Sequence, residues 1–162
     1  MVKYLTILLL FILTGCQREL PINIDKYQAD NKEIFFNVVQ KNITFTENSQ
    51  SIYLNLIKKY INNWYENDVK VNGFDGTLNV EITKISSLES IVQNGVKIEV
   101  ILNLEFKISK TALNSERIIY LNGSEFGELT GSFSLDDKSI VVENIIKRLI
   151  NNFSLKLSNE VN

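Results

Sequence analysis

Val96-Lys97-Ile98-Glu99-Val100-Ile101-Leu102-Asn103-Leu104-Glu105-Phe106-Lys107-Ile108 is the stretch that decides the fold. Val96, Ile98, Val100, Leu102, Leu104, Phe106 and Ile108 share one parity. Lys97, Glu99, Asn103, Glu105 and Lys107 share the other, with Ile101 the exception. Successive side chains of a strand point to opposite faces, so this is a long strand with one buried and one wet face. A sheet of that kind is covered on one side only, and its connections are expected to be antiparallel.

Working outward, Gln93-Asn94-Gly95 precedes this strand, and Asn-Gly favours a tight hairpin. Before it, Thr77 to Ser86 alternates Leu78, Val80 and Ile82 with Asn79, Glu81 and Thr83, behind the turn Gly73-Phe74-Asp75-Gly76. Arg117 to Phe133 reads as a third long extended segment. Gly123, Gly127 and Gly131 fall on one face of it. Such a face either lets another backbone approach or marks bends. Bends are the reading adopted, ahead of a docking strip for a partner. Ile34 to Val39 suits a first strand, continuing through Ile43-Thr44-Phe45 after a kink.

Two segments carry helical periodicity. In Ser51–Glu66, Ile52, Tyr53, Leu56, Ile57, Tyr60, Ile61 and Trp64 recur at three- and four-residue steps, with Ser49 or Ser51 as N-cap. The aromatics read as core, with a ligand groove as the alternative. In Ser134 to about Leu157, Val141, Ile145, Leu149 and Phe153 form one line, widened by Val142, Ile146 and Ile150. Ser134 and Asp137 resemble a capping box. The expected fold is α+β: an antiparallel sheet of about four strands with two helices packed on one face, within a single domain over residues 32–162.

Composition narrows the function classes. There is no histidine, and Cys16 is the only cysteine. The commonest general base and metal ligand are thus absent, as are a disulfide framework and a thiolate metal site. The net charge of −2 gives no basic surplus for nucleic acid. No phosphate loop, nucleophile elbow or zinc motif occurs. Asp136-Asp137 suit a helix start, Glu125 and Glu128 differ in strand parity, and Asp68 and Asp75 flank a turn. The expectation is a non-enzyme with no catalytic residue, no metal and no cofactor beyond a covalent lipid.

That lipid is read from the N-terminus. Met1-Val2-Lys3 is a short positive region, Tyr4 to Leu13 is almost wholly apolar, and Thr14-Gly15 are small. This is the pattern of a secretory signal, over too few residues to span a bilayer comfortably. Leu13-Thr14-Gly15-Cys16 resembles the lipobox of bacterial lipoproteins. The resemblance implies a signal peptide over 1–15, cleavage between Gly15 and Cys16, and acyl chains such as palmitate on Cys16. Two or more chains anchor a protein stably. Gln17 in place of Asp implies, by the same resemblance, an outer-membrane anchor facing the periplasm. The inner membrane or a Gram-positive surface is the alternative. Removing residues 1–15 from 162 leaves 147, with 16 basic (17 less Lys3) against 19 acidic side chains. Residues 16–31 read as a tether, whose fifteen residues past the cysteine reach roughly 50 Å when extended, or as an arm packed on the domain.

The order strand, helix, three strands, helix behind a lipobox is similar to lipoproteins of the lipopolysaccharide-assembly type and to auxiliary lipoproteins of lipid-transport ABC systems. A helix ending near Trp64, the Gly73/Gly76 turn, Leu78-Asn79-Val80-Glu81-Ile82 and a charged C-terminal helix resemble small envelope lipoproteins of alphaproteobacterial type. The resemblance implies an accessory interaction subunit of an envelope complex, with an envelope protein as partner. A lipid or small hydrophobic ligand binder is the alternative, using a cleft between helices and sheet.

Overall fold

Three strands of sixteen residues each carry the molecule: β4 (Thr77–Val92), β5 (Gly95–Lys110) and β6 (Ser115–Thr130). Before them come β1 (Ile34–Phe36), β2 (Gln40–Phe45), α1 (Leu54–Asn67) and β3 (Val69–Val71), and after them α2 (Leu135–Val161). The computed structural model describes residues 33–46 and 51–161. The lipobox, Gly15, Cys16 and the 16–31 tether lie outside the described residues.

β2, β4, β5 and β6 form one sheet in that order. β4–β5 and β5–β6 are antiparallel, and Gln93-Asn94 make the two-residue loop between Val92 and Gly95. The inner face of β5 is Val96, Ile98, Val100, Leu102, Leu104 and Phe106, all buried. Burying a side chain of this size is worth ~1.5–3 kcal/mol, so this row dominates the core. The expected α+β architecture, with two helices on one face, is what forms.

Four expectations need correction. First, β2 pairs with β4 in parallel, from Gln40↔Thr77 to Phe45↔Ile82. A hairpin can join only antiparallel neighbours, and here α1 returns the chain to the starting end as a crossover. Second, Ile34–Val39 is not one strand. β1 ends at Phe36, and it pairs in parallel with β3 as a separate two-stranded sheet. Phe36 turns inward, stacking on Phe106 at 6.0 Å between ring centroids. Third, α1 starts at Leu54 rather than Ser51. Ser51 Oγ accepts from the Tyr53 backbone N–H at 3.0 Å, and Leu54 N–H bonds to the Ser51 carbonyl. Those bonds form a turn ahead of the helix, and Tyr53 at the N-cap makes no side-chain cap bond.

Fourth, the β6 glycines are not all bends. A Cβ on Gly127 would lie 2.6 Å from Val141 Cγ1, and one on Gly123 would lie 2.9 Å from the Phe153 ring. Both sit beneath α2 and allow it to lie directly on the strand. Gly131 alone marks a turn, with φ of +75° just past β6. The capping box forms as read: Asp137 N–H donates to Ser134 Oγ, and Asp137 Oδ2 accepts from the Ser134 N–H at 2.7 Å.

The helices are pinned to each other. Trp64 of α1 is buried, meets Phe106 edge-on, and donates its indole N–H to Ser154 Oγ of α2 at 2.9 Å. Higher on the same seam, Glu143 of α2 pairs with Lys147 and bonds Tyr60 of α1. Burial first, then Glu143, push the Tyr60 hydroxyl up to about 12. At the lower end of α1, Lys41 Nζ donates to the carbonyls of Tyr65 and Val69 at 2.7 and 2.9 Å. A cation there also suits the negative helix C-terminus.

Candidate functional site

The chain enters at one end of the sheet, and the most distinctive group of side chains lies at the other. At that far end lie the β4–β5 hairpin tip, the link from β6 to α2, and the start of α1. The Gly131 N–H donates to the Asn94 carbonyl at 2.9 Å and ties the hairpin tip to the β6–α2 link. β4 alone spans about 50 Å at ~3.3 Å per residue.

β4 sets this end up by changing register. A bulge between Ile82 and Lys84 inserts Thr83, and parity inverts. Beyond it Ile85, Ser87, Glu89 and Ile91 follow on the helix side, opposite Leu102, Val100, Ile98 and Val96. Two of these four are polar. Ser87 Oγ lies 2.7 Å from Ser51 Oγ. Glu89 accepts from the Tyr53 hydroxyl and from Lys138 Nζ, the latter at 2.6 Å. The carboxylate therefore joins the start of α1 to the first turns of α2. Lys138 also lies over the Phe133 ring, 5.6 Å from its centroid.

The protonation states of this cluster are held away from neutrality. Hydrogen bonds from Lys138 and Tyr53 keep the Glu89 carboxyl below its usual range. Burial, then the Glu89 carboxylate, push the Tyr53 hydroxyl well above its usual value. A general acid or base works best with a pKa near the working pH. These shifts keep the carboxylate charged and the hydroxyl protonated near neutral pH, so the hydrogen bonds clamp the starts of the two helices together.

Exposed apolar side chains stand close in the chain to each clamp residue. Ile91 is 93% exposed, Ile52 81% and Leu135 80%. They lie on three elements that one carboxylate holds together.

A second feature runs along the free edge of β6. Grooves of about 380 and 490 Å³ lie between β6 and α2, lined chiefly by Asn122, Ser124, Glu125, Asn152, Leu155 and Lys156. They are open, and their lining mixes polar groups with a larger share of apolar surface. Arg148 crosses one of them, donating to the Phe126 carbonyl at 2.6 Å and pairing with Glu125 at 3.4 Å. That guanidinium blocks part of the strand edge, as edges left bare invite wrong pairing.

The other acidic candidates are dispersed. Asp136 and Asp137 open α2, Asp75 accepts from the Ala112 N–H at 2.9 Å, and Asp68 caps the end of α1. Glu125 and Glu128 do not converge: Glu125 meets Arg148 and Asn152, and Glu128 pairs with Lys97 in the ladder. Among the described residues no group of histidine, cysteine or acidic side chains is placed to hold a metal ion. Also among them, no helix is long and apolar enough to cross a membrane. Tyr53 was legible as an aromatic of the α1 stripe, read as core, but Glu89 and Lys138 did not stand out, because Thr77–Ser86 ends short of Glu89 and the bulge hides its parity.

No family model and no curated protein matches the chain. Several solved structures are similar in fold, and these neighbours include bacterial lipoproteins. A minor lipoprotein from Acinetobacter baumannii is 10% identical with a TM-score of 0.47, over 76% of this chain and 94% of that one. Rare lipoprotein B from Shewanella oneidensis is 11% identical with a TM-score of 0.40, over 75% and 92%. A neuraminyllactose-binding hemagglutinin homolog from Helicobacter pylori is 9% identical with a TM-score of 0.44, over 81% and 89%.

Proposed function

We propose that this chain is a lipid-anchored, non-catalytic accessory subunit of the cell envelope, which docks through its far end onto an envelope complex engaged in assembly or lipid transport. Acyl chains on Cys16 hold it in the outer membrane facing the periplasm, as Leu13-Thr14-Gly15-Cys16 and Gln17 suggest. The observation that carries the docking role is the rim of Ile52, Ile91 and Leu135. It is exposed, braced by the Tyr53–Glu89–Lys138 clamp, and set at the end of the sheet away from β1, where the described chain begins. The partner surface is apolar protein. A ligand between helices and sheet has less support, because Val100, Leu102, Ile145 and Ile146 fill that space and are fully buried.

Two measurements test the reading. Cys16→Ser should abolish labelling with a clickable fatty acid and release the protein from the membrane fraction; surviving labelling would overturn the anchor. Pull-down from detergent-solubilised membranes should recover one envelope protein in fixed ratio with the wild-type chain. The triple variant Ile52→Asp/Ile91→Asp/Leu135→Asp should lose it. Recovery of nothing specific, or undiminished recovery by the triple variant, would refute the docking role.

A further inference from the structure

The end at which the chain enters carries apolar side chains of a different kind. β1 runs from Glu33 toward the loop 72–76, where the Asn72 N–H bonds to the Phe36 carbonyl and the Gly73 N–H to the Val38 carbonyl at 2.9 Å. At the tip of that loop Phe74 is 100% exposed. The loop is not loose. The Val39 N–H bonds to the Gly76 carbonyl at 3.2 Å, and Asp75 Oδ2 accepts from the Ala112 N–H at 2.9 Å. The second bond ties it to the β5–β6 turn. That turn is closed by Asn114 N–H on the Thr111 carbonyl, and Leu113, 71% exposed, stands at its tip. Val39, also exposed, lies beside them. Asp75 spends its carboxylate inside this arrangement, which leaves the two tips apolar.

We propose that Phe74 and Leu113 insert into the surface of the bilayer that holds the lipid anchor, and so fix how the domain stands on it. This rests on Cys16 being the anchored residue. Two observations favour a bilayer over a protein. The described chain begins at Glu33, and the three residues of β1 lead from it to the Phe74 loop, so along the chain this end of the sheet lies nearer Cys16 than the far end does. Residues 17–32 can extend roughly 55 Å, so the tether permits contact without imposing it. The contact consists of two loop tips and not a broad patch. A specific protein interface needs about 800 Å² on each side, whereas interfacial membrane binding scales with whatever apolar area reaches the headgroup boundary. With the anchor in place the loops act at high effective concentration, and a weak contact suffices.

The test uses the full lipidated chain in vesicles of phosphatidylethanolamine and phosphatidylglycerol. Cys16 is the only cysteine, and lipidation consumes its thiol. Phe74→Cys, Leu113→Cys and, at the far end, Ile91→Cys would each then take one bimane label. Labels at 74 and 113 should shift to the blue and be quenched by nitroxide lipids, while the label at 91 stays in water. Phe74→Asp placed in the Leu113→Cys chain should reduce quenching at 113 about tenfold. Labels at 74 and 113 that fluoresce as in water would overturn the proposal. So would a blue shift that appears without vesicles and grows with protein concentration, since a second copy would then cover the loops. Uptake of two labels per chain would instead mean that Cys16 is free, which marks failure of the anchor itself.

Discussion

The inner face of β4 has two halves, and they are built from different chemistry. On one side of the bulge, Leu78, Val80 and Ile82 are buried against the helices beside Phe106 and Leu104. On the other, after Ile85, the same face presents Ser87, Glu89 and the exposed Ile91. The first half is held by apolar burial and close packing. The second is held by a hydrogen bond between Ser51 and Ser87 and by bonds to Glu89 from Tyr53 and Lys138. Burial gives stability without direction, and a charged clamp gives position with little burial. Ile52, Ile91 and Leu135 stand on the elements that have the second kind of support.

Three substitutions probe that contrast. Phe106→Ala should have the largest effect, lowering unfolding free energy by about 3–5 kcal/mol, because Phe36 and Trp64 both rest on that ring. A urea midpoint unchanged from wild type would mean the packed half is not the core. Gly127→Val should cost about 1–3 kcal/mol by overpacking, since its side chain meets Val141 of α2. Near-ultraviolet circular dichroism should change with it, and an unperturbed spectrum would show that α2 does not lie on the glycine strip. Glu89→Gln should cost about 1 kcal/mol at pH 7.

The pH dependence of that last variant sharpens the comparison further. The folded Glu89 carboxyl is held below its ordinary value of 4.5. Its stabilisation is therefore complete above the unfolded pKa and is lost as pH falls through the folded one. The gap between wild type and Glu89→Gln should thus be full at neutral pH and shrink on acidification below about pH 4.5. Glu143 is also held low, chiefly by Lys147 and Tyr60, so the variant should keep a smaller acid-dependent loss of its own. Parallel stability curves for the two proteins would show that the clamp contributes no charge.

Much of the packed half was legible in the residue order. The parity of Val96–Ile108 identified β5 and its buried face, Asn94-Gly95 placed the hairpin, and Ser134 with Asp137 marked the start of α2. These are local properties, set by backbone periodicity and by hydrogen bonds over three or four residues. The polar half was hidden. Glu89 follows a bulge that inverts parity, and its partners are 36 and 49 residues away in the chain.

By itself, then, the sequence determined an α+β domain whose sheet is wet on one face, with Cys16 as its one candidate for lipidation. Alternation and helical spacing report which faces must leave water, and they need no knowledge of neighbours. Only the tertiary structure decided that β2 joins the sheet in parallel, because a crossover helix returns the chain to its starting end. It also decided that Gly123 and Gly127 serve the approach of α2, and that Tyr53, Glu89 and Lys138 meet. Each of these depends on which distant segment arrives, and that is set by the packing of the whole core.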